Sequence, residues 1–351
     1  MRRPFVSFVR LLLVGMIACG DTSAPPPSAA PDGGTPAGED LPDAQAGDEI
    51  DAGHAPDASS DADTDVEAGV EPDAGVDAGM DGGTDAGDPS SPTTIRIVAA
   101  NLTSGTVQSY TPGHGARILK GLEPDITLIQ EFNYGQNAVD EIRTFVTETF
   151  GADYSYYREP GRQIPTGVIS RYPILTSGQW SDPQVSNRGF TYAKIDVPGP
   201  HPLWAVSVHL VTSGAGQRNA AATALVTELR KVVADGDYVV IGGNFNTDNR
   251  SESCMTTFAQ MVKTSGPHPA DASGNGNTNA SRTKPYDGVL ANQALAAHQI
   301  ATVINSNTFA NGLVFDSRVY TPIADVAPVQ LGDSAATNMQ HMAVVKDFRL
   351  P

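Results

Sequence analysis

Between Gly20 and Pro92 the chain carries 19 Asp and Glu residues and not one Lys or Arg. Asp-Ala-Gly recurs at 51–53, 73–75, 77–79 and 85–87, and the spaces between are filled mainly by Ala, Gly, Pro and Ser. Such a segment has too little apolar surface to offset the entropy lost on folding, and its like charges repel. The repeats offer no apolar face to stack, which excludes a solenoid. The ligand spacing of an EF-hand loop is absent, which argues against calcium binding there. Residues 20–92 are therefore predicted to be a disordered spacer, with a root-mean-square reach on the order of 50 Å as a flexible coil. Any hydrophobic core has to be built from 93–351.

That division also relocates the charge. The formal net charge of −18 belongs almost entirely to the spacer, and residues 93–351 hold 19 basic and 21 acidic side chains with no dense Lys/Arg cluster. A sequence-independent grip on duplex DNA rests on neutralising phosphates, so that class of tight binder is not indicated.

Ahead of the spacer, Arg2 and Arg3 precede an apolar run from Phe5 to Met16 and the sequence Met16-Ile17-Ala18-Cys19-Gly20. The run is short for a bilayer span and reads as a signal peptide, residues 1–19. Its ending resembles a bacterial lipoprotein cleavage box, which implies cleavage before Cys19 and acylation of its thiol. An ordinary signal peptide with an incidental cysteine is the alternative. Either reading exports the chain. The lipid anchor would be its sole membrane contact, with the outer membrane preferred because no retention-type Asp follows Cys19. Cys254, the second of two cysteines, then has no partner in the chain and reads as a buried, inert thiol.

Within 93–351, Val- and Ile-rich runs bounded by Gly, Pro and Asn predict strands at 95–100, 125–130, 167–170, 192–197, 203–210, 238–242, 287–291 and 342–348. Helical patterns fit 116–122, 137–150, 217–233 and 252–262. Several strands follow one another with no helix between, which disfavours a doubly wound parallel sheet. Two packed sheets with helices outside fit better.

Polar residues gather at the ends of these runs: Asn101, Glu131, His209, Asn244 and Asn246. A rigid scaffold presents its chemistry on such loops. Taken in order, Ala100-Asn101-Leu102, Leu128-Ile129-Gln130-Glu131, Gly167-Val168-Ile169-Ser170-Arg171-Tyr172-Pro173-Ile174, Ser207-Val208-His209-Leu210, Gly242-Gly243-Asn244-Phe245-Asn246, Tyr286-Asp287-Gly288-Val289-Leu290 and Gln340-His341 resemble the endonuclease/exonuclease/phosphatase superfamily along nearly all of 94–351. The resemblance implies an α+β fold, a four-layer α/β/β/α sandwich of two packed mixed β-sheets flanked by helices, with its site at one end of the sheets. It implies that Glu131 and Asn101 hold a divalent ion, magnesium first, with manganese or calcium as alternatives. His341 would act at the phosphate, oriented by Asp287, with His209 as the second imidazole and Asn246 on a phosphate oxygen. Tyr156-Tyr157-Arg158-Glu159-Pro160-Gly161-Arg162 is similar to a stretch of the pancreatic deoxyribonuclease branch, which makes Glu159 the expected partner of His209. Arg188 matches an arginine that can contact phosphate.

Two positions depart from the family pattern. Asn244 stands where an Asp usually helps orient and deprotonate the attacking water, and Gln340 stands where an Asp usually joins the metal shell. An amide keeps an oxygen ligand and loses the charge. The expectation is an exported, monomeric, metal-dependent phosphodiester hydrolase, nuclease-like, with nucleic acid as the leading substrate and phospholipid or a small phosphate ester as alternatives. A pseudoenzyme that binds a phosphorylated ligand without turnover remains the rival from another class.

Overall fold

The structure, a computed structural model, describes residues 92–351. The signal segment, Cys19 and nearly all of the spacer lie outside the described residues.

Fourteen strands run in the order β1 (Thr93–Ala100), β2 (Ile126–Ile129), β3 (Ser155–Arg158), β4 (Gly167–Ser170), β5 (Ile174–Ser181), β6 (Gly189–Ile195), β7 (Leu203–His209), β8 (Tyr238–Asn244), β9 (Asp287–Ala291), β10 (Gln299–Ile300), β11 (Thr302–Ile304), β12 (Asn307–Phe309), β13 (Leu313–Phe315) and β14 (Ala343–Leu350). Five α-helices intervene: α1 (His114–Leu122), α2 (Val139–Thr149), α3 (Ala215–Val232), α4 (Ser253–Phe258) and α5 (Gln293–Ala296). One sheet is ordered β10-β14-β1-β2-β4-β3, with β13 also on β14, and the other β5-β6-β7-β8-β9. Each is mixed, with a single parallel pair: β1 with β2 across α1, and β7 with β8 across α3.

Side-chain alternation along the strands builds the layers. In β1, Ile95, Ile97 and Ala99 join Ile126, Leu128, Ala205 and Val240 in the core between the sheets, while Val98 and Ala100 face the other way. That outer face is covered by Ile118, Leu119 and Leu122 of α1 and by Ile142, Phe145 and Val146 of α2. On the far side Val206, Val208, Val239 and Ile241 pack against Ala221, Ala222, Leu225 and Leu229 of α3 and Phe258 of α4. The result is the four-layer α+β sandwich. Among the described residues no helix is long and apolar enough to cross a membrane.

The expected helices all form, with one shortened. The segment 252–262 is helical only over Ser253–Phe258, after which the chain turns so that Lys263 N donates to Ala291 O on β9. Cys254 is fully buried and free, and burial together with the neighbouring Glu252 carboxylate pushes its thiol up to about 11, so it is inert as expected. Strand β8 runs two residues past the predicted Gly242. Gly243 makes this possible: at φ 132° it lies against the neighbouring strand so closely that a Cβ would sit 2.2 Å from Val208 O.

The sandwich contains a buried ion pair that no sequence pattern announced. Arg218 on α3, 1 % exposed, donates through Nε and Nη2 to the Glu252 carboxylate at 2.8 Å each and through Nη1 to Val211 O and Thr212 O. This fixes the loop after β7 and the entrance to α4 on one guanidinium.

Candidate active site

Strand register gathers the polar residues at one end of both sheets. His209, Asn244 and Asp287 are direct neighbours across β7, β8 and β9. In the other sheet Asn101 follows β1, Glu131 follows β2 and His341 precedes β14, and those three strands are adjacent. Each sheet contributes half of the cluster.

Glu131 is its best-anchored carboxylate. Asn101 Nδ2 donates to Oε1 at 3.2 Å, Gln108 Nε2 donates to Oε1 at 3.3 Å, and the Thr103 hydroxyl bonds Oε2. Its backbone is left-handed at φ 51°, a conformation that non-glycine residues adopt only where the surroundings hold them. Tyr110 supplies part of that hold. Its hydroxyl accepts from Leu102 N and lies within bonding distance of Ala100 O and Gln130 O, tying the two strand ends that carry Asn101 and Glu131; burial pushes its phenol far up and keeps it neutral.

Across the gap, His341 Nδ1 donates to Asp287 Oδ2 at 2.9 Å, and Asn244 Nδ2 lies 3.4 Å from the opposite ring nitrogen, to which it donates only while the ring is neutral. Burial, the largest single influence, works against charge on this imidazole, but the Asp287 carboxylate and then Glu131 outweigh it, and its pKa is raised. His209 is the opposite case. Burial, then the Arg188 and His341 charges, hold it well below the usual histidine range, so it is neutral. Its Nε2 lies 3.9 Å from Glu131 Oε1. Two imidazoles in one cluster are thus driven apart in protonation, one toward a proton donor and one toward an acceptor.

Thr278 holds this arrangement from behind. Asp287 N donates to its hydroxyl and Met342 N to its carbonyl, both at 2.7 Å, so one residue fixes the backbone beside both members of the Asp287–His341 pair. Thr278 sits in a loop secured by Arg282, which bridges Asp271 and Asp316. Thr103, Gln108, Tyr110 and Thr278 were not singled out by sequence. Tyr110, a lone aromatic in the polar stretch Ser109-Tyr110-Thr111-Pro112-Gly113, carried a faint signal; the other three carried none.

Several expected roles are not met. Glu159 does not partner His209: its Oε1 accepts from Arg162 Nε at 3.1 Å and its Oε2 from Gly189 N and Thr166 N, whereas His209 Nδ1 has no partner. Only the first three residues of the stretch lie in a strand, β3, at the edge of its sheet, and Glu159 directly follows it. Arg188 is 7 % exposed and gives its donors to His209 O, Leu210 O and Asn187 Oδ1, so it braces the end of β7 in place of the phosphate contact expected of it. Asn246 Nδ2 likewise donates to Leu210 O at 2.7 Å, and its own N–H donates to Asn244 Oδ1, which leaves only its side-chain oxygen uncommitted. Gln340 is solvent-exposed and takes no part in the hydrogen bonds of the cluster.

Among the described residues no group of three or more His, Cys, Asp or Glu side chains is arranged to hold a metal. A different donor set is present. Of seven buried side-chain polar atoms without a hydrogen-bond partner, three belong to this cluster: Asn101 Oδ1, His209 Nδ1 and Asp287 Oδ1. Buried polar atoms are rarely left unpaired without a function or a missing partner. Asn101 turns its Nδ2 towards the Glu131 carboxylate, and with the amide rotated its unpartnered Oδ1 would join that carboxylate as an oxygen pair suited to a hard cation that keeps most of its water, as magnesium does.

The fold is a two-sheet sandwich whose shared rim carries a buried carboxylate, an amide and a carboxylate-backed imidazole. The chain belongs to the endonuclease/exonuclease/phosphatase family, whose model matches residues 115–309. Among solved structures it is similar to an endonuclease/exonuclease/phosphatase from Bacteroides vulgatus, at 14 % identity and a TM-score of 0.52, covering 74 % of this chain and 100 % of that one. It is also similar to a functionally unknown conserved protein from Enterococcus faecalis, at 10 % identity and a TM-score of 0.50, covering 72 % and 98 %. No curated protein matches the sequence.

Proposed function

We propose that this domain is a divalent-metal-dependent phosphodiester hydrolase, nuclease-like, exported on the N-terminal signal and held at the bacterial envelope through Cys19. The observation that carries the catalytic part is the hydrogen-bonded series Asp287–His341–Asn244 facing Glu131 across the gap between the sheets. Glu131 and the Asn101 side-chain oxygen would hold the ion, which would supply positive charge for a phosphoryl oxygen and its developing negative charge. His341 keeps one ring nitrogen on Asp287; once protonated, its other nitrogen, 3.4 Å from Asn244 Nδ2, can give a proton to the departing oxygen or stabilise the charged phosphoryl group. Asp287 fixes the tautomer. Neutral His209, with its free Nδ1, is placed to accept a hydrogen bond from water or substrate.

The second reading, a member that binds a phosphorylated ligand without turnover, is favoured by Asn244 and by the exposed Gln340, which together leave Glu131 as the one carboxylate on the presumptive metal side. An activity screen decides between them: plasmid DNA, RNA, bis-nitrophenyl phosphate and phospholipid, each with magnesium, manganese, calcium or chelator. Hydrolysis that chelator abolishes is expected on at least one phosphodiester; no turnover on any of them with saturating metal establishes the binding-only reading. Glu131→Ala is expected to lose magnesium binding and activity together, with far-ultraviolet circular dichroism unchanged. Equal magnesium affinity in calorimetry of both proteins overturns the metal assignment. The envelope proposal predicts that Cys19→Ser eliminates incorporation of labelled fatty acid, and incorporation that survives the change refutes it.

A further inference from the structure

Behind Asp287, on the side away from His341, a recess of about 50 Å³ opens to solvent between β9, β14 and the segment that follows α4. Its charged lining is one-sided. Lys346, Lys263 and Arg250 border it, together with His268, and the one carboxylate in its wall is Asp287, already paired through Oδ2 with His341. Lys263 and Arg250 are exposed, but Lys346 is only 8 % exposed and forms neither a hydrogen bond nor an ion pair.

A lysine drawn this far into the fold with no partner is costly even where its ammonium tip still meets solvent, and folded chains normally pair it or do without it. This chain makes room for it. Gly312, at φ 97°, lies against the Lys346 stem so closely that a Cβ there would stand 3.0 Å from its Cγ. The stem is therefore accommodated by the fold, while the charged neighbour that acts on its end is another cation, Lys263.

We propose that this recess is a binding site for a small multivalent oxyanion of the phosphate type, held by the ammonium groups of Lys346 and Lys263 and by the Arg250 guanidinium. Three cations around one recess exceed what a monovalent carboxylate neutralises, which selects a dianion. Such an ion gives the Lys346 ammonium its missing partner and relieves the repulsion between the two lysines. The positive character of the recess shows in its titrating groups. Burial and then Lys263 lower Lys346 to about 8, and burial followed by Arg250 and Lys346 lowers His268 to about 4. The site is separate from the candidate active site, although Asp287 forms part of both walls.

The test is calorimetric titration of the purified full chain with inorganic phosphate, sulfate or acetate at matched ionic strength. Saturable phosphate binding that survives His341→Ala is expected, because the recess does not use that imidazole. Lys346→Met, which keeps the length of the stem and removes the charge, should weaken phosphate binding at least tenfold. Should that variant not fold, Lys263→Met at an exposed position should still weaken binding several-fold. Absence of phosphate binding overturns the proposal, as does affinity that vanishes with His341→Ala but is unchanged in both lysine variants. Acetate binding as tightly as phosphate also overturns it, since the recess would then not select a dianion.

Discussion

Replacing His341 with Ala is expected to lower kcat on a phosphodiester substrate by about 10²- to 10⁴-fold, the range over which a positioned acid or base contributes, while magnesium affinity stays within error of the parent. The imidazole is placed for this by three independent contacts: Asp287 on Nδ1, Asn244 on Nε2, and Thr278 fixing the adjacent backbone. None of those contacts runs through Glu131 or Asn101, so removal of the ring leaves the proposed ion ligands in place. Steady-state kinetics with calorimetry on the same preparations measures both quantities. A loss of less than tenfold demotes His341 to a structural part. The pH profile supplies a second check. Asp287 is what raises the His341 pKa against the effect of burial, so Asp287→Asn should move the alkaline limb of kcat to lower pH. An unmoved limb means that another group supplies the proton.

The largest effect on stability is expected at Glu252. Its carboxylate is bonded by Nε and Nη2 of Arg218, with the two side chains 5 % and 1 % exposed. Glu252→Ala leaves a buried guanidinium with the carbonyls of Val211 and Thr212 and the half-exposed Asp248 carboxylate at 3.6 Å, and breaking a buried pair by removing one partner costs about 3–5 kcal/mol. Against a typical domain stability of roughly 5–15 kcal/mol, that is a large fraction. For a domain of this size it corresponds to a fall in Tm on the order of 10 °C. The double change Glu252→Leu with Arg218→Met should recover much of the loss, because an apolar pair needs no charge compensation. Thermal melts of the parent and both variants test this; a single variant that melts within about 2 °C of the parent would mean that water reaches Arg218.

The contrast between these two residues explains what could be read from sequence. His341 was legible because it precedes a Val-rich strand and falls last in an ordered series of strand-end residues; the hydrophobic runs fixed which strands exist, and strand ends are where the polar residues had to be. The layers followed from the same alternation, as Ile95, Ile97 and Ala99 against Val98 and Ala100 illustrate. Arg218 was not legible. On α3 it looks like any solvated arginine at helical spacing, and only tertiary packing against the loop after β7 buries it. Thr103, Gln108 and Thr278 are invisible for the same reason, since a small polar residue in a loop carries no mark of what it will face. Glu159 and Arg188 show the converse error. Local likeness placed Glu159 beside His209 and Arg188 at the phosphate, but each has nearer backbone groups to satisfy, and a buried carboxylate or guanidinium takes the nearest partners of good geometry. The short strands β10 to β13, of two or three residues each, are below the length at which alternation can be recognised.

The Asp287–His341 hydrogen bond spans two sheets, since Asp287 opens β9 in one and His341 leads into β14 in the other. Farther down the same gap Ser207 on β7 accepts from Gln130 and donates to Ile129 O, bolting the sheets together beneath the site. The cluster is therefore gripped like a workpiece in a vice, and the width of its jaws is set by the hydrocarbon packed between them: Ile97, Leu128, Ala205 and Val240. A substitution buried deep in that filling, with no polar atom near the rim, changes the span that a 2.9 Å bond has to cross. On the proposed hydrolytic reading, residues that touch no substrate therefore share in setting the alignment of the Asp287–His341 pair.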